Sequence, residues 1–300
     1  KFYLNIYIWI DNKKEFSCSG KSYFLHNIFL VSTSTIIDAF DFFVYLLTQK
    51  NRKMSTLKLA TNALHAGHEV SQNGGTRAVP IYQTSSYVFN NSEHAANLFS
   101  LKELGFIYTR LNNPTNQILQ DRLAAVEGGI GAVVFASGTS AISTGLLTLL
   151  KAGDHIVASS SLYGGTYNLL NVTLPRFGIT TTFVDASNPE SFSAAVQENT
   201  RAFFVESLGN PKLDVLDLEA ISVHAKAAEV PFIVDNTVAT PALLNPIKHG
   251  ANIVIHSLTK YIGGQGTSLG GAIVDAGTFN WANGKFPEFT EPSAGYHGLK

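Results

Sequence analysis

The sequence predicts an α/β protein built on a mostly parallel sheet of seven strands, and three observations carry that expectation. Short apolar runs alternate with helical stretches from Thr115 onward. The runs are apolar at odd and even positions alike, the pattern of strands covered on both faces. The apolar fraction is 45% over 300 residues, with 25 glycines, which suits a large buried core. This alternation defines the α/β class, whose ligands sit beyond the carboxyl ends of the strands.

Taken in order, Asn113-Pro114-Thr115 opens a helix that places Ile118, Leu119, Leu123 and Val126 on one face, and Gly128-Gly129 stop it. Strands are expected at 132–136, 155–159, 180–184, 202–205, 232–235, 253–256 and 271–274. Helices are expected between most of them, at 139–150, 189–198 and 218–229.

The first 53 residues differ from the rest, being crowded with Phe, Tyr, Ile, Asn and Lys and beginning at Lys1. Met54, the single methionine, precedes Ser-Thr-Leu-Lys-Leu-Ala-Thr and reads as a natural soluble start. Residues 1–53 are therefore expected to be an extraneous extension. The rival reading is a membrane or signal segment within 28–47. Asp38 and Asp41 interrupt that run and leave less than the roughly 18 apolar residues a span needs.

Lys and Arg total 21 against 22 Asp and Glu, so the charge offers no case for nucleic acid or an anionic membrane as partner. One cysteine, Cys18, excludes an intrachain disulfide framework and a cysteine-based zinc site, and a reducing cytoplasm fits. His65 and His68 lack the partner an H-E-x-x-H metal site needs. Gly264-Gln265-Gly266 lacks the third glycine of a dinucleotide fingerprint, and neither a phosphate-binding P-loop nor a G-x-S-x-G elbow occurs.

The residues just past the strands form a chemically coherent set. Ser137-Gly138-Thr139-Ser140 follows the first strand and opens a helix. Its small residues let backbone N–H groups approach a phosphate at the helix start, although a plain turn with a capping hydroxyl reads the same. Tyr163, before Gly164-Gly165, can stack on a flat ring or be an ordinary half-buried tyrosine. Asp235, before Asn236-Thr237, can hold a ring nitrogen protonated or cap a turn. Lys260, in His256-Ser257-Leu258-Thr259-Lys260-Tyr261-Ile262-Gly263-Gly264, can lose its proton when desolvated and form a Schiff base. By itself it is also an ordinary surface lysine. The interval from Asp235 to Lys260 leaves room for one helix and one strand, which brings both to one sheet edge. The four features in this order specify pyridoxal 5'-phosphate (PLP) better than any one of them does.

From about Leu59 to its end the chain resembles the Cys/Met-metabolism family of PLP enzymes, of the aspartate-aminotransferase fold (fold type I). The segment from His256 to Gly266 carries the resemblance most specifically. Tyr108-Thr109-Arg110 with Asn113-Pro114-Thr115, Ala136-Ser137-Gly138-Thr139 and Val234-Asp235-Asn236 support it. The resemblance implies that Lys260 carries the cofactor as a Schiff base and shuttles protons, that Asp235 binds the pyridine nitrogen and that Tyr163 stacks on the ring. It implies that the Gly138 and Thr139 amides hold the phosphate with the Ser257 and Thr259 hydroxyls, and that Asn210 lies near the ring hydroxyl. Tyr108 and Arg110 then reach the phosphate of a neighbouring subunit, in a homodimer that usually pairs into a homotetramer. The implied organisation is the extension 1–53, an arm 54–114 serving the neighbour's site, and a PLP-binding large domain 115–300.

Within the family, Phe106 to Asn116, Glu206 to Val215 and the opening Thr61 to Gly67 resemble O-acetylhomoserine sulfhydrylases more than cystathionine enzymes. The implied reaction is γ-replacement of acetate on O-acetyl-L-homoserine by sulfide, giving homocysteine. Methionine γ-lyase and cystathionine γ-synthase or γ-lyase are the alternatives within the family, and an inactive fragment or structural subunit is the alternative outside it. Asn252 departs from the family's usual acidic residue or glutamine and is expected to affect strand-end packing. The smaller carboxyl-terminal domain, with its substrate-carboxylate arginine, is expected to be absent from a chain ending at Lys300.

Overall fold

The doubly apolar runs become strands with a packed core on each side. A computed structural model of the protein describes residues 57–293 and Gly298. The expectations made for residues 1–53, Cys18 and Met54 lie outside these. All seven expected strands form: β1 (Gly131–Phe135), β2 (His155–Ser159), β3 (Thr180–Val184), β4 (Thr200–Glu206), β5 (Phe232–Asp235), β6 (Ile253–Ser257) and β7 (Gly271–Asp275). Their order across the sheet is β1-β7-β6-β5-β4-β2-β3. The pairings β6–β5, β5–β4, β4–β2 and β2–β3 are parallel, whereas β7 runs antiparallel to both β6 and β1.

The helices among the described residues are α1 (Leu59–His65), α2 (Ser92–Phe99), α3 (Pro114–Glu127), α4 (Gly138–Leu149), α5 (Gly164–Asn168), α6 (Glu190–Ala194), α7 (Leu218–Ala227) and α8 (Thr240–Leu243). Successive strand residues point to opposite faces, which explains why both parities are apolar. Phe204, Ile233, Ile255 and Ile273 join Ala141, Ile142 and Leu146 of α4 in one core. Their neighbours Phe203, Val234, Val254 and Val274 join Leu123 of α3 with Leu218 and Ile221 of α7 in the other. Each fully buried side chain of this size contributes about 1.5–3 kcal/mol.

Three expectations are corrected. Leu119 does not share the buried face of α3 but is 38% exposed. The buried stripe is Ile118, Gln120, Leu123, Ala124 and Glu127, because two polar residues have partners inside. Gln120 Oε1 accepts from Val134 N at 3.2 Å, which occupies a main-chain donor on the edge strand β1. The helix expected over 189–198 is only Glu190–Ala194, since Thr200 Oγ1 takes the Gln197 N–H at 2.7 Å and turns the chain into β4. The helix expected to reach 229 ends at Ala227, and Glu229 adopts a positive φ of 54°. Asn252 does serve strand-end packing: its Oδ1 accepts from Phe232 N, and its Nδ2 donates to Thr278 Oγ1.

Candidate functional site

The carboxyl ends of β1, β4, β5 and β6 and the amino end of the reversed β7 meet at one edge of the sheet. There β1 leads through Ser137 into α4, whose start is closed by a reciprocal capping box between Ser137 and Ser140. Gly138 packs directly on Ser257 at the end of β6, where an added Cβ would lie 2.6 Å from Ser257 Cβ. A glycine is required here because two backbones converge. Thr139 is exposed beside it at the same helix start.

Asp235 ends β5 and is buried. Its Oδ1 accepts from Thr237 N at 3.0 Å and from Thr237 Oγ1 at 2.5 Å. The same Thr237 hydroxyl accepts from Ser257 N at 2.8 Å. Thr237 thus ties the aspartate to the Ser257–Gly138 corner. Burial pushes the Asp235 carboxyl above its ordinary range, opposed by the Thr237 bonds and by His256. A cationic ring nitrogen would reverse that shift.

Glu206 ends β4 as Asp235 ends β5, and the two are register partners. Its Oε1 accepts from Tyr163 N at 2.6 Å. Burial first, and the Asp235 carboxylate second, push Glu206 up to about 8 against the lowering by that N–H. Tyr163 itself directly precedes α5 and is 52% exposed, leaving ring surface for a ligand. The loop after β4 touches the loop after β2, where Gly209 is pressed on Ser161, and Asn210 follows through a cis bond to Pro211.

Lys260 lies on the turn after β6, with its N–H on Ser257 O and its carbonyl accepting from Gly264 N. It reaches the expected edge, but it is exposed. The dry surroundings expected of it are not supplied by the described residues. Thr259 Oγ1 accepts from Gly270 N at 3.1 Å and donates to Gly270 O at 3.3 Å, clasping the two ends of the loop.

Tyr108 and Arg110 lie on the segment before α3. The Arg110 guanidinium lies 5.6 Å from the Tyr108 ring centroid. Both line an open depression of about 440 Å³ with Gln83, Thr84, Ser85 and Thr109. Asn113 fastens this segment by donating to Tyr82 O and Thr109 Oγ1.

Sequence reasoning missed a buried polar cluster on the opposite face of the sheet. His256 Nε2 lies 2.5 Å from Glu127 Oε1, and Asn236 Nδ2 donates to that oxygen at 3.2 Å. Ser207 Oγ donates to Asn236 Oδ1 at 2.8 Å. Glu206 was missed as well, although its position as the polar end of an apolar strand is the same signal that marks Asp235. Among the described residues no group of three His, Cys, Asp or Glu could hold a metal ion, and no helix is long and apolar enough to cross a membrane.

The sheet and the residues at its edge place the chain among PLP proteins of fold type I. Within that class it belongs to the family of Cys/Met metabolism PLP-dependent enzymes, whose model matches residues 60–294. It is 58% identical over 243 residues to an O-acetyl-L-homoserine sulfhydrylase of Leptospira meyeri, covering 81% of this chain and 55% of the relative. It is 53% identical over 242 residues to a homocysteine synthase of Schizosaccharomyces pombe, covering 80% and 56%. The chain thus spans little more than half the length of these curated relatives. A Campylobacter jejuni structure assigned as an O-acetylhomoserine (thiol)-lyase, solved with a pyridoxyl-lysine monophosphate residue, superposes with a TM-score of 0.79 at 42% identity. That match covers 82% of this chain and 61% of the other.

Proposed function

We propose that the chain is the cofactor-binding part of a homocysteine-forming sulfhydrylase that takes O-acetyl-L-homoserine and sulfide. The observation that carries this reading is the link Asp235–Thr237–Ser257, which places a buried carboxyl group and a glycine-lined helix start side by side. The pair fits the two ends of PLP, its ring nitrogen and its phosphate.

When bound, PLP supplies an electron sink for the substrate's α and β carbons. The chain's own residues divide the remaining work. Lys260 is the amine that takes the cofactor and moves protons. Asp235 holds the ring nitrogen charged through Oδ2, the oxygen that carries neither Thr237 bond. Tyr163 stacks on the ring and Asn210 lies by its hydroxyl. The Gly138 and Thr139 amides and the Ser257 hydroxyl hold the phosphate, and Thr259 joins them if its hydroxyl leaves Gly270. The exposure of Lys260 supports a site completed by further protein. In this reading Tyr108 and Arg110, on the arm 54–114, serve a second copy of the chain, in a homodimer or homotetramer of the cytoplasm, and residues 115–300 form the large domain.

Adding PLP to the purified chain is expected to give a visible absorbance band that Lys260→Ala abolishes with the fold intact. Sulfide-dependent homocysteine from O-acetyl-L-homoserine is expected to exceed keto-acid release from methionine or cystathionine. A folded chain without the band refutes the cofactor role, and the reverse substrate order refutes the sulfhydrylase assignment.

A further inference from the structure

Glu206 and Asp235 are Cα partners on adjacent parallel strands, so their side chains leave the same face roughly 4.8 Å apart at the backbone. Both are buried, with 5% and 8% of their surface exposed. Two carboxyl groups this close do not both ionise at low cost. If Asp235 carries the charge that a ring nitrogen needs, Glu206 is the one that stays neutral.

The use of the neutral carboxyl group is set by its bond. Glu206 Oε1 accepts from the Tyr163 main-chain N–H, and this contact joins the end of β4 to the segment after β2. The Tyr163 ring leans on Gly165, where an added Cβ would lie 2.5 Å from the ring Cε1. The ring is thereby fixed from two sides, by the anchored main chain and by a glycine surface that admits no side chain.

We infer that Glu206 is a positioning residue of the cofactor site, whose uncharged carboxyl group anchors Tyr163 in its stacking position and leaves the negative charge of the edge on Asp235. This rests on the PLP reading given above. The upward shift of Glu206 to about 8 agrees with it. Asp235 from β5 and Tyr163 from the segment after β2 face Glu206 directly. The other charged groups along this edge are Lys260 after β6, Lys212 and Asp214 after β4, and Asp185 after β3. His256 and Glu127 lie across the sheet.

Two variants separate anchoring from charge. Glu206→Gln keeps an oxygen acceptor and neutrality, whereas Glu206→Leu keeps neither the acceptor nor any polarity. In the cofactor-free chain, amide hydrogen exchange at Tyr163 is expected to rise about tenfold in the leucine variant and to stay within about threefold of wild type in the glutamine variant. With PLP added, the leucine variant is expected to lose about tenfold in cofactor affinity and to change the visible circular dichroism of the bound cofactor. The glutamine variant should stay close to wild type in both at neutral pH. Unchanged exchange in the leucine variant overturns the anchor. Faster exchange with unchanged affinity and dichroism overturns the positioning role, as does a glutamine variant as impaired as leucine. A wild-type chain with no Lys260-dependent band overturns the PLP reading and this role together, which distinguishes that failure from the others.

Discussion

Replacing His256 with leucine tests the buried pair it forms with Glu127. The two side chains have no solvent exposure, and Glu127 Oε2 and His256 Nδ1 find no hydrogen-bond partner among the described residues. The pair therefore relies on its one short bond and on the longer bond from Asn236 Nδ2. Leucine removes the short bond but leaves the carboxyl group buried where water does not reach it. Removing one partner of a buried pair costs about 3–5 kcal/mol. The surviving Asn236 bond places the expected loss near the lower end, at about 3 kcal/mol. A typical domain has about 5–15 kcal/mol in all. For a chain of this size the melting temperature should then fall by roughly 5 °C. Replacing both residues, as Glu127→Met with His256→Leu, removes the stranded group along with its partner. The double variant is expected to recover about 2 kcal/mol relative to the sum of the singles. Urea unfolding monitored by far-ultraviolet circular dichroism, with the slopes compared, measures all four chains. A single-variant loss under about 1 kcal/mol, or strictly additive singles, would refute the reasoning.

Two further outcomes concern other groups. Asp275 is buried at the end of β7, and desolvation pushes it up to about 6 from an ordinary 3.8. The folded state therefore binds its proton more tightly than the unfolded chain. Its stability contribution is full below 3.8 and is lost as pH rises through about 6. The loss is about 3 kcal/mol, and Asp275→Asn, which keeps the acceptor for Gly277 N, should flatten that slope in unfolding curves taken across the window. Gly138→Ala forces a methyl group against Ser257 and should cost about 1–3 kcal/mol. It should also weaken PLP binding, as read by cofactor titration.

Much of the sheet was legible because a strand buried on both faces leaves an unbroken apolar run that few other structures need. The direction of β7 was not legible, since an apolar run reads the same either way and only the pairing Ser257↔Gly271 reveals the reversal. The buried face of α3 was misread at Leu119 because Gln120 and Glu127 look like surface residues until their partners are known. The partner of Glu127 is 129 residues away. At the candidate site, the meeting of Gly138, Asp235 and Ser257 at one sheet edge was legible from their place at or just past a strand end. That position marks Glu206 equally, but its partner, a main-chain N–H after β2, has no sequence signature. The surroundings of Lys260 were illegible for another reason: a side chain's dryness depends on what packs over it, not on its own loop.

The reversal of β7 also governs where Lys260 is held. Because β7 starts where β6 ends, residues 258–270 leave and re-enter the sheet at paired positions, and Thr259 clasps Gly270 inside that pairing. The entropy of closing this ring is met when the sheet forms, not when a ligand arrives. The main chain at Lys260 is thus held on the turn just past β6 before anything binds. A crossover through a helix to a parallel seventh strand would have released that constraint.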